Sequence, residues 1–327
     1  MDDVLGLSGR FSKTFQKHSC RLAADVSFAK TREHLRAMLG VVVSVEALRK
    51  QVERHGEAMA KFQLQDAVTA TAFREAKGEV EFAIDAGKVN TREEGWNDLK
   101  MGVVSKRESG DSATPDQWHA DRLPAPTMAI AYARITPSKE FRRTWGPWLR
   151  RLGVRSWATV HALGDGASWI WKSVDRALPG CIQTLDIYHA NARLSQCAQA
   201  VFGETSVETT KAFERGREFL VASGWKGVCE WAGELLAVAD IAERERRRSA
   251  TDKLLKYFAK HVGRLNYRER LASGRAIGSG AVEGQAKTLG LRLKARGARW
   301  RKKNVRPMAS LVCVRNSIQW EPYWIPA

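Results

Sequence analysis

The sequence predicts an α/β fold: a mixed sheet with a large helical insertion, preceded by a helical N-terminal region. Three observations carry this. Val80, Phe82 and Ile84 alternate with polar or small residues, the period of a strand, and two more apolar segments follow as partners. Beyond residue 138, helical spacing alternates with apolar runs at 157–164 and 181–185, the order that adds parallel strands to an antiparallel start. Residues 190–276 are rich in alanine, glutamate, arginine and lysine and read as helix throughout. With 327 residues, the chain can hold two domains, or one with a large insertion. The expected division is 1–76 as the helical region, 77–189 as the first part of the core, 190–276 as the insertion and 277–327 as a closing helix and basic segment.

In chain order, Phe11, Phe15, Leu22 and Val26 mark one helical face, and Phe28, Leu35, Met38 and Leu39 a second that ends near Gly40. Ser44 offers an N-cap to a third helix, with Leu48 and Val52 inside, Arg49, Lys50 and Arg54 outside, and Gly56 near its end. A short turn before a basic second helix fits a helix-turn-helix, although any small helical bundle reads the same way. The strand at 79–85 is expected to end on Asp85, before Ala86-Gly87. Residues 99–104 supply its hairpin partner and 127–135 a third strand, with a flexible polar loop at 105–126.

Phe141, Trp145, Trp148 and Leu149 lie at helical spacing within 138–152. The strand at 157–164 breaks at Asp165-Gly166, and a helix at 167–177 carries Trp169 and Trp171 into the core. The strand at 181–185 runs into Asp186, Ile187, Tyr188 and His189. Within the insertion, 240–248 is a charged helix and 253–270 a basic amphipathic stretch.

A glycine turn at 278–280 starts the last important helix, with Ser279 as expected N-cap and Glu283 in the first turn, where the helix dipole favours negative charge. Val282, Ala286, Leu289 and Leu293 form its apolar stripe, while Glu283, Lys287 and Lys294 share another face. After Glu283 no acid occurs until Glu321, yet ten basic residues do. Lys287, Arg292, Lys294, Arg296, Arg299, Arg301, Lys302 and Lys303, with Trp300 among them as a stacking surface, are the expected DNA-binding set. A charge run alone reads as a solvated face; the absence of acids over this length turns the reading toward a polyanion.

Net charge is +18 and the pI near 10.0, which favours nucleic acid or another anionic partner. No apolar run approaches the roughly 20 residues that span a bilayer. The acidic start, Met1-Asp2-Asp3, is unlike a signal peptide, so a cytoplasmic, nucleoid-associated location is expected. Cys20, Cys181, Cys197, Cys229 and Cys313 form no C-x-x-C pair and read as reduced core residues.

Asp85 and Asp165 stand at expected strand ends, each followed within two residues by glycine, and Glu283 begins a helix that must pack on the same sheet. Three carboxylates without histidine or cysteine partners suit hard divalent cations bound through oxygen. Each of them alone reads as a cap or turn residue.

FAIDAGKVN at 82–90, LGDGASWIW at 163–171, LDIYHA at 185–190, IGSGAVEGQAK at 277–287 and LRLK at 291–294 together resemble DDE transposases of bacterial insertion sequences. The resemblance is to the group related to Mutator-like transposases, whose C/D-x-x-H motif is matched by Asp186 and His189. It implies a ribonuclease-H-like core with the helical segment as its insertion. It further implies Asp85, Asp165 and Glu283 as catalytic metal ligands for two Mg²⁺ or Mn²⁺ ions, with Asp186 and His189 as accessory residues. DNA ends and target DNA become the expected substrates, bound by a homo-oligomer. That group often starts with a cysteine-containing segment upstream of this chain's first residue, so a shortened copy is also an expectation. Two alternatives remain open: a catalytically silent DNA-binding derivative or regulator of transposition, and a cellular nuclease on the same fold.

Overall fold

The computed structural model describes residues 7–8, 11–237 and 240–325. A short antiparallel pair, β1 (Leu7–Ser8) and β2 (Phe11–Ser12), precedes four helices: α1 (Lys13–Asp25), α2 (Phe28–Leu39), α3 (Val45–Phe62) and α4 (Ala67–Glu75). Next come β3 (Glu79–Thr91), β4 (Gly95–Arg107) and β5 (Met128–Arg134), then α5 (Ser138–Arg143), α6 (Trp145–Arg151), β6 (Val160–Gly164), α7 (Ser168–Ala177) and β7 (Ile182–Leu185). The strandless segment holds α8 (Ile187–Phe202), α9 (Val207–Leu236), α10 (Ile241–Phe258) and α11 (Tyr267–Ala272). The chain closes with α12 (Gly280–Leu293), α13 (Lys302–Arg315) and α14 (Trp320–Trp324).

Local signals set most helix starts. Ser12, Ser27, Ser44 and Asp66 each accept a bond from a free amide of the helix that follows, stabilising each end by about 1 kcal/mol. Gly40, at a left-handed φ of 64°, stops α2. Met38 and Leu39, expected inside, are exposed; of that face Leu35 is fully buried. Gly56 does not end α3, which continues to Phe62. A Cβ there would overlap the Pro307 carbonyl, so this glycine is where α3 and α13 cross. The outward cations of α3 are already engaged: Arg49 pairs with Glu46 and Glu53, Lys50 with Glu46, and Arg54 bonds Gln16.

The sheet order is β5-β4-β3-β6-β7, with the first three strands antiparallel and the last three parallel. Both faces are covered. Phe82, Ile84, Ile130 and Tyr132 meet Phe141, Trp145, Trp148 and Ile170 on one side, joined by Trp231 and Phe258 of the insertion. Ala83, Val89, Met101 and Val103 meet Val282, Leu289, Leu293 and Met308 on the other, together with Leu35, Leu48 and Met59. The N-terminal helices and the closing helices thus form one layer, although sequence places them at opposite ends.

Five further expectations are corrected. β3 does not end at Asp85; hairpin pairing with β4 carries it to Thr91. The loop at 105–126 is pinned, because Gly110 and Ala113 donate to the carbonyls of Gly274 and Leu271 at 3.0 Å. The helix expected at 138–152 divides at Thr144, and the stretch expected at 253–270 breaks after Phe258 into a 3-10 turn and α11. Cys229 is exposed, whereas the other four cysteines are buried.

Candidate functional site

Ala83 pairs with Leu163 and Ile84 with Gly164 in the parallel register of β3 and β6. One step further, Asp85 stands beside Asp165, where the pairing between the two strands stops. Alternation puts Asp85 on the Ala83 face, the side covered by α12. The Asp165 carboxylate accepts from the Ala167 amide at 2.8 Å, and its carbonyl accepts from the Trp171 indole at 2.8 Å.

Three neighbours act on Asp85 through their fields. Burial pushes its carboxyl up to about 6; the Ala86 amide opposes this, Asp165 and Glu283 add to it by repulsion, and His189 opposes it. The predicted carboxylates are therefore electrostatic neighbours, with His189 in the same set. Among the described residues, no group of three His, Cys, Asp or Glu side chains is arranged to hold a metal ion as it stands. The expected ligand set is brought together without being closed. Its donor chemistry nonetheless fits a hard cation, since the three groups offer oxygen alone and repel one another.

Asp186 is fully buried and joins the parts. Its Oδ1 accepts the amides of Tyr188 and His189 at 2.8 and 3.0 Å, capping α8 and setting His189 in the first turn. Its Oδ2 accepts the amide and hydroxyl of Ser279 at 2.5 and 2.7 Å. Its own amide donates to the Gly164 carbonyl at 2.8 Å, immediately before Asp165. One carboxylate thus ties the end of β6, the start of α8 and the turn into α12. The predicted role of Ser279 changes accordingly: its hydroxyl makes no cap bond to α12 and donates instead to Asp186.

The insertion also reaches this site. The Tyr257 hydroxyl lies against Gly166, where any Cβ would overlap it, and the Arg193 guanidinium stacks 4.8 Å from the Tyr257 ring. Burial raises the Tyr257 pKa, Arg193 lowers it, and the fields of Asp165 and Asp186 raise it. Neither residue was singled out from sequence. The four-residue spacing from His189 to Arg193 was the available signal, since it stacks both on one side of α8.

The expected DNA-binding set divides. Lys287, Lys294, Arg296, Arg299, Arg301, Lys302 and Lys303 are exposed. Lys294 Nζ would come within 3.7 Å of a Cβ placed on Gly87, two residues past Asp85. Lys302 is paired with Glu94 at 2.7 Å. Arg292 and Trp300 differ from these in being buried. Arg292 is buried, donates through Nε to the Ala23 carbonyl at 2.6 Å, and lies over the rings of Phe28 and Trp300. Trp300 is 8% exposed and its indole donates to the Leu293 carbonyl, so its ring is not a surface for stacking bases. Trp171 is in the core as expected, and Trp169 packs partly buried against it.

None of the described helices is long and apolar enough to cross a membrane. Neither a protein-family model nor a curated protein matches the chain.

Proposed function

We propose that this protein is a divalent-metal-dependent enzyme that cuts and joins DNA strands, a DDE-type transposase on a ribonuclease-H-like core. The observation that carries the reading is the adjacency of Asp85, on β3, and Asp165, immediately after its parallel neighbour β6, with Glu283 of α12 acting on the Asp85 carboxyl. A sheet of three antiparallel strands continued by two parallel ones, followed by a helical insertion before Glu283, supports the fold assignment. The net charge of +18 and the exposed basic residues after α12 support a polyanionic substrate.

Asp85, Asp165 and Glu283 would hold Mg²⁺ or Mn²⁺, which supplies activation of the attacking hydroxyl and stabilisation of the leaving oxygen. The chain's own residues perform the rest. Asp85 must give up its proton to become a ligand, and His189 favours that loss. Asp186 sets the spacing between the aspartate strands and the Glu283 helix through its bonds to Ser279 and to Gly164. Lys294, reaching toward Gly87, and Arg193, over Tyr257, put positive charge along the approach of a phosphodiester.

Nicking of supercoiled DNA in Mg²⁺ or Mn²⁺ tests the proposal. Asp165→Asn should lower the rate by at least ~10³-fold while DNA affinity measured in EDTA stays within about twofold, because one metal ligand is lost and no repulsion is added. Nicking by Asp165→Asn at a comparable rate would remove the assignment. DNA binding by a wild-type chain that never nicks would favour the silent derivative.

A further inference from the structure

The basic segment that follows α12 folds back on the far end of β3. The Trp300 amide donates to the Asn90 carbonyl at 3.1 Å and its carbonyl accepts from the Arg92 amide at 2.8 Å, so the segment is fixed to the β3–β4 hairpin. Between this junction and the N-terminal helices lies a cavity of about 380 Å³. Arg49, Arg92, Arg292, Arg299 and Arg301 line it, and Glu53 is the single acidic residue that does. That glutamate is already engaged by Arg49 at 2.8 Å and by Asn304 at 2.7 Å.

Arg292 is the unusual member. It is 5% exposed, sandwiched by Phe28 and Trp300 at 5.2 and 4.8 Å, and among the described residues it makes no ion pair. Its Nη2 is buried without a hydrogen-bond partner. Burial pushes its pKa down to about 10, which leaves it charged at neutral pH. A buried charge held only by two rings and one carbonyl is costly unless something anionic completes it. The planar guanidinium fork suits a phosphate oxygen pair better than a point cation would.

We infer that this arginine-lined cavity is a phosphate-binding subsite that grips the nucleic-acid backbone away from the carboxylates. It rests on the DNA-binding part of the function proposed above and not on the cleavage chemistry. The position has a consequence for register. Thr91, which bridges to Trp300, is six residues beyond Asp85 on β3, or about 20 Å at roughly 3.3 Å per residue. Backbone phosphates on one strand advance about 3.4 Å each, so the gripped phosphate lies about six nucleotides from the one at the carboxylates.

The test compares two charge-matched triple variants of the full chain, with Arg292 left intact because removing a buried guanidinium tests folding. One removes cavity arginines, Arg92→Ala with Arg299→Ala and Arg301→Ala. The other removes exposed cations outside the cavity, Lys139→Ala with Arg296→Ala and Lys303→Ala. Affinity for a short DNA duplex is measured in EDTA over a range of salt, so a failure of cleavage leaves the result readable. The cavity triple should bind about tenfold more weakly than the control triple, and its slope of log affinity against log salt should be shallower by about one. Equal weakening of the two triples would overturn the subsite and leave diffuse charge. In a second arm, inorganic phosphate competes with DNA at matched ionic strength; it should do so more strongly than chloride for the wild type and not for the cavity triple. Phosphate competition accompanied by DNA affinity no weaker than the control's would assign the cavity to a free anion and overturn the DNA-backbone source.

Discussion

Midway along β3 three acidic groups converge, and at its far end an arginine cluster surrounds a cavity; the two regions are stabilised in opposite ways. Around Asp85 the charges are mutually repulsive, and they are kept together by main-chain register and by the buried Asp186 that ties β6, α8 and α12. Around Trp300 the charges also repel, yet rings and carbonyls take the place of a carboxylate anchor: Arg292 has Phe28, Trp300 and the Ala23 carbonyl. The first arrangement sets positions by register and hydrogen bonds, the kind of positioning that the chemistry proposed above requires. The second needs only a concentration of positive charge with one guanidinium oriented, which is enough to hold a backbone and read no sequence.

The larger effect that would break this contrast comes from the tie. Asp186→Asn replaces an acceptor by a donor where four donors converge on two oxygens, leaving at least one N–H facing another, at a cost of about 1–3 kcal/mol. Because this lets α12 shift relative to β6, the nicking rate should fall about 10²-fold. KM for DNA should stay nearly constant, because the arginine cavity does not touch the tie. Ser279→Ala, which keeps the amide bond and removes only the hydroxyl, should lose much less. Steady-state kinetics with native-state hydrogen exchange of the 279–283 amides checks this; a loss confined to KM, or unchanged amide protection in Asp186→Asn, would dissolve the proposed tie.

A smaller effect sharpens the contrast from the side of repulsion. Asp85 has a folded-state pKa of about 6 against an ordinary value of 3.8, so between these values the folded chain holds a proton that the unfolded chain has released. Its contribution to stability therefore falls as pH rises through that window, and above it the fold carries a carboxylate penalised first by burial and then by Asp165 and Glu283, partly offset by the Ala86 amide and His189. Asp85→Asn should be more stable than the wild type at pH 7, on the order of 1 kcal/mol after discounting for partial exposure, and the difference should shrink toward pH 4. Thermal denaturation across pH reads it, and a variant less stable at pH 7 would mean that neither burial nor like charge strains the Asp85 carboxylate.

The same two regions differ in how much the sequence disclosed. Strand period carries the face of Asp85 once the strand is seen to run on: with Val80, Phe82 and Ile84 on one side, Asp85 lies on the other with Ala83. A helix stripe did likewise for α12, whose Val282, Leu289 and Leu293 are buried and whose Lys287 is exposed. The segment from Lys294 to Arg301 lies between α12 and α13 and has no helical or strand period. Nothing local there separates the inward Trp300 from the outward Arg299, and the bridge to Thr91 that decides it joins residues far apart in the chain. Arg292 was hidden for a related reason: it lies within α12 beside Leu293, and only the arrival of Phe28 and Trp300 makes its position interior. The role of Ser279 was misjudged because an N-cap pattern is local, while its real acceptor, Asp186, is brought in by the sheet.

The central claim is that carboxylates from β3, β6 and α12 act as one cation-holding unit, and Mn²⁺ binding followed by electron paramagnetic resonance tests it most directly. The wild-type chain should bind Mn²⁺ with an affinity that weakens as pH falls through about 6, where Asp85 takes up its proton. Asp85→Asn, Asp165→Asn and Glu283→Gln should each lose that binding by at least about tenfold, since all three groups supply ligands to the same ions. Wild-type Mn²⁺ affinity in Glu283→Gln, together with loss in the two aspartate variants, would detach α12 from the site and contradict the account.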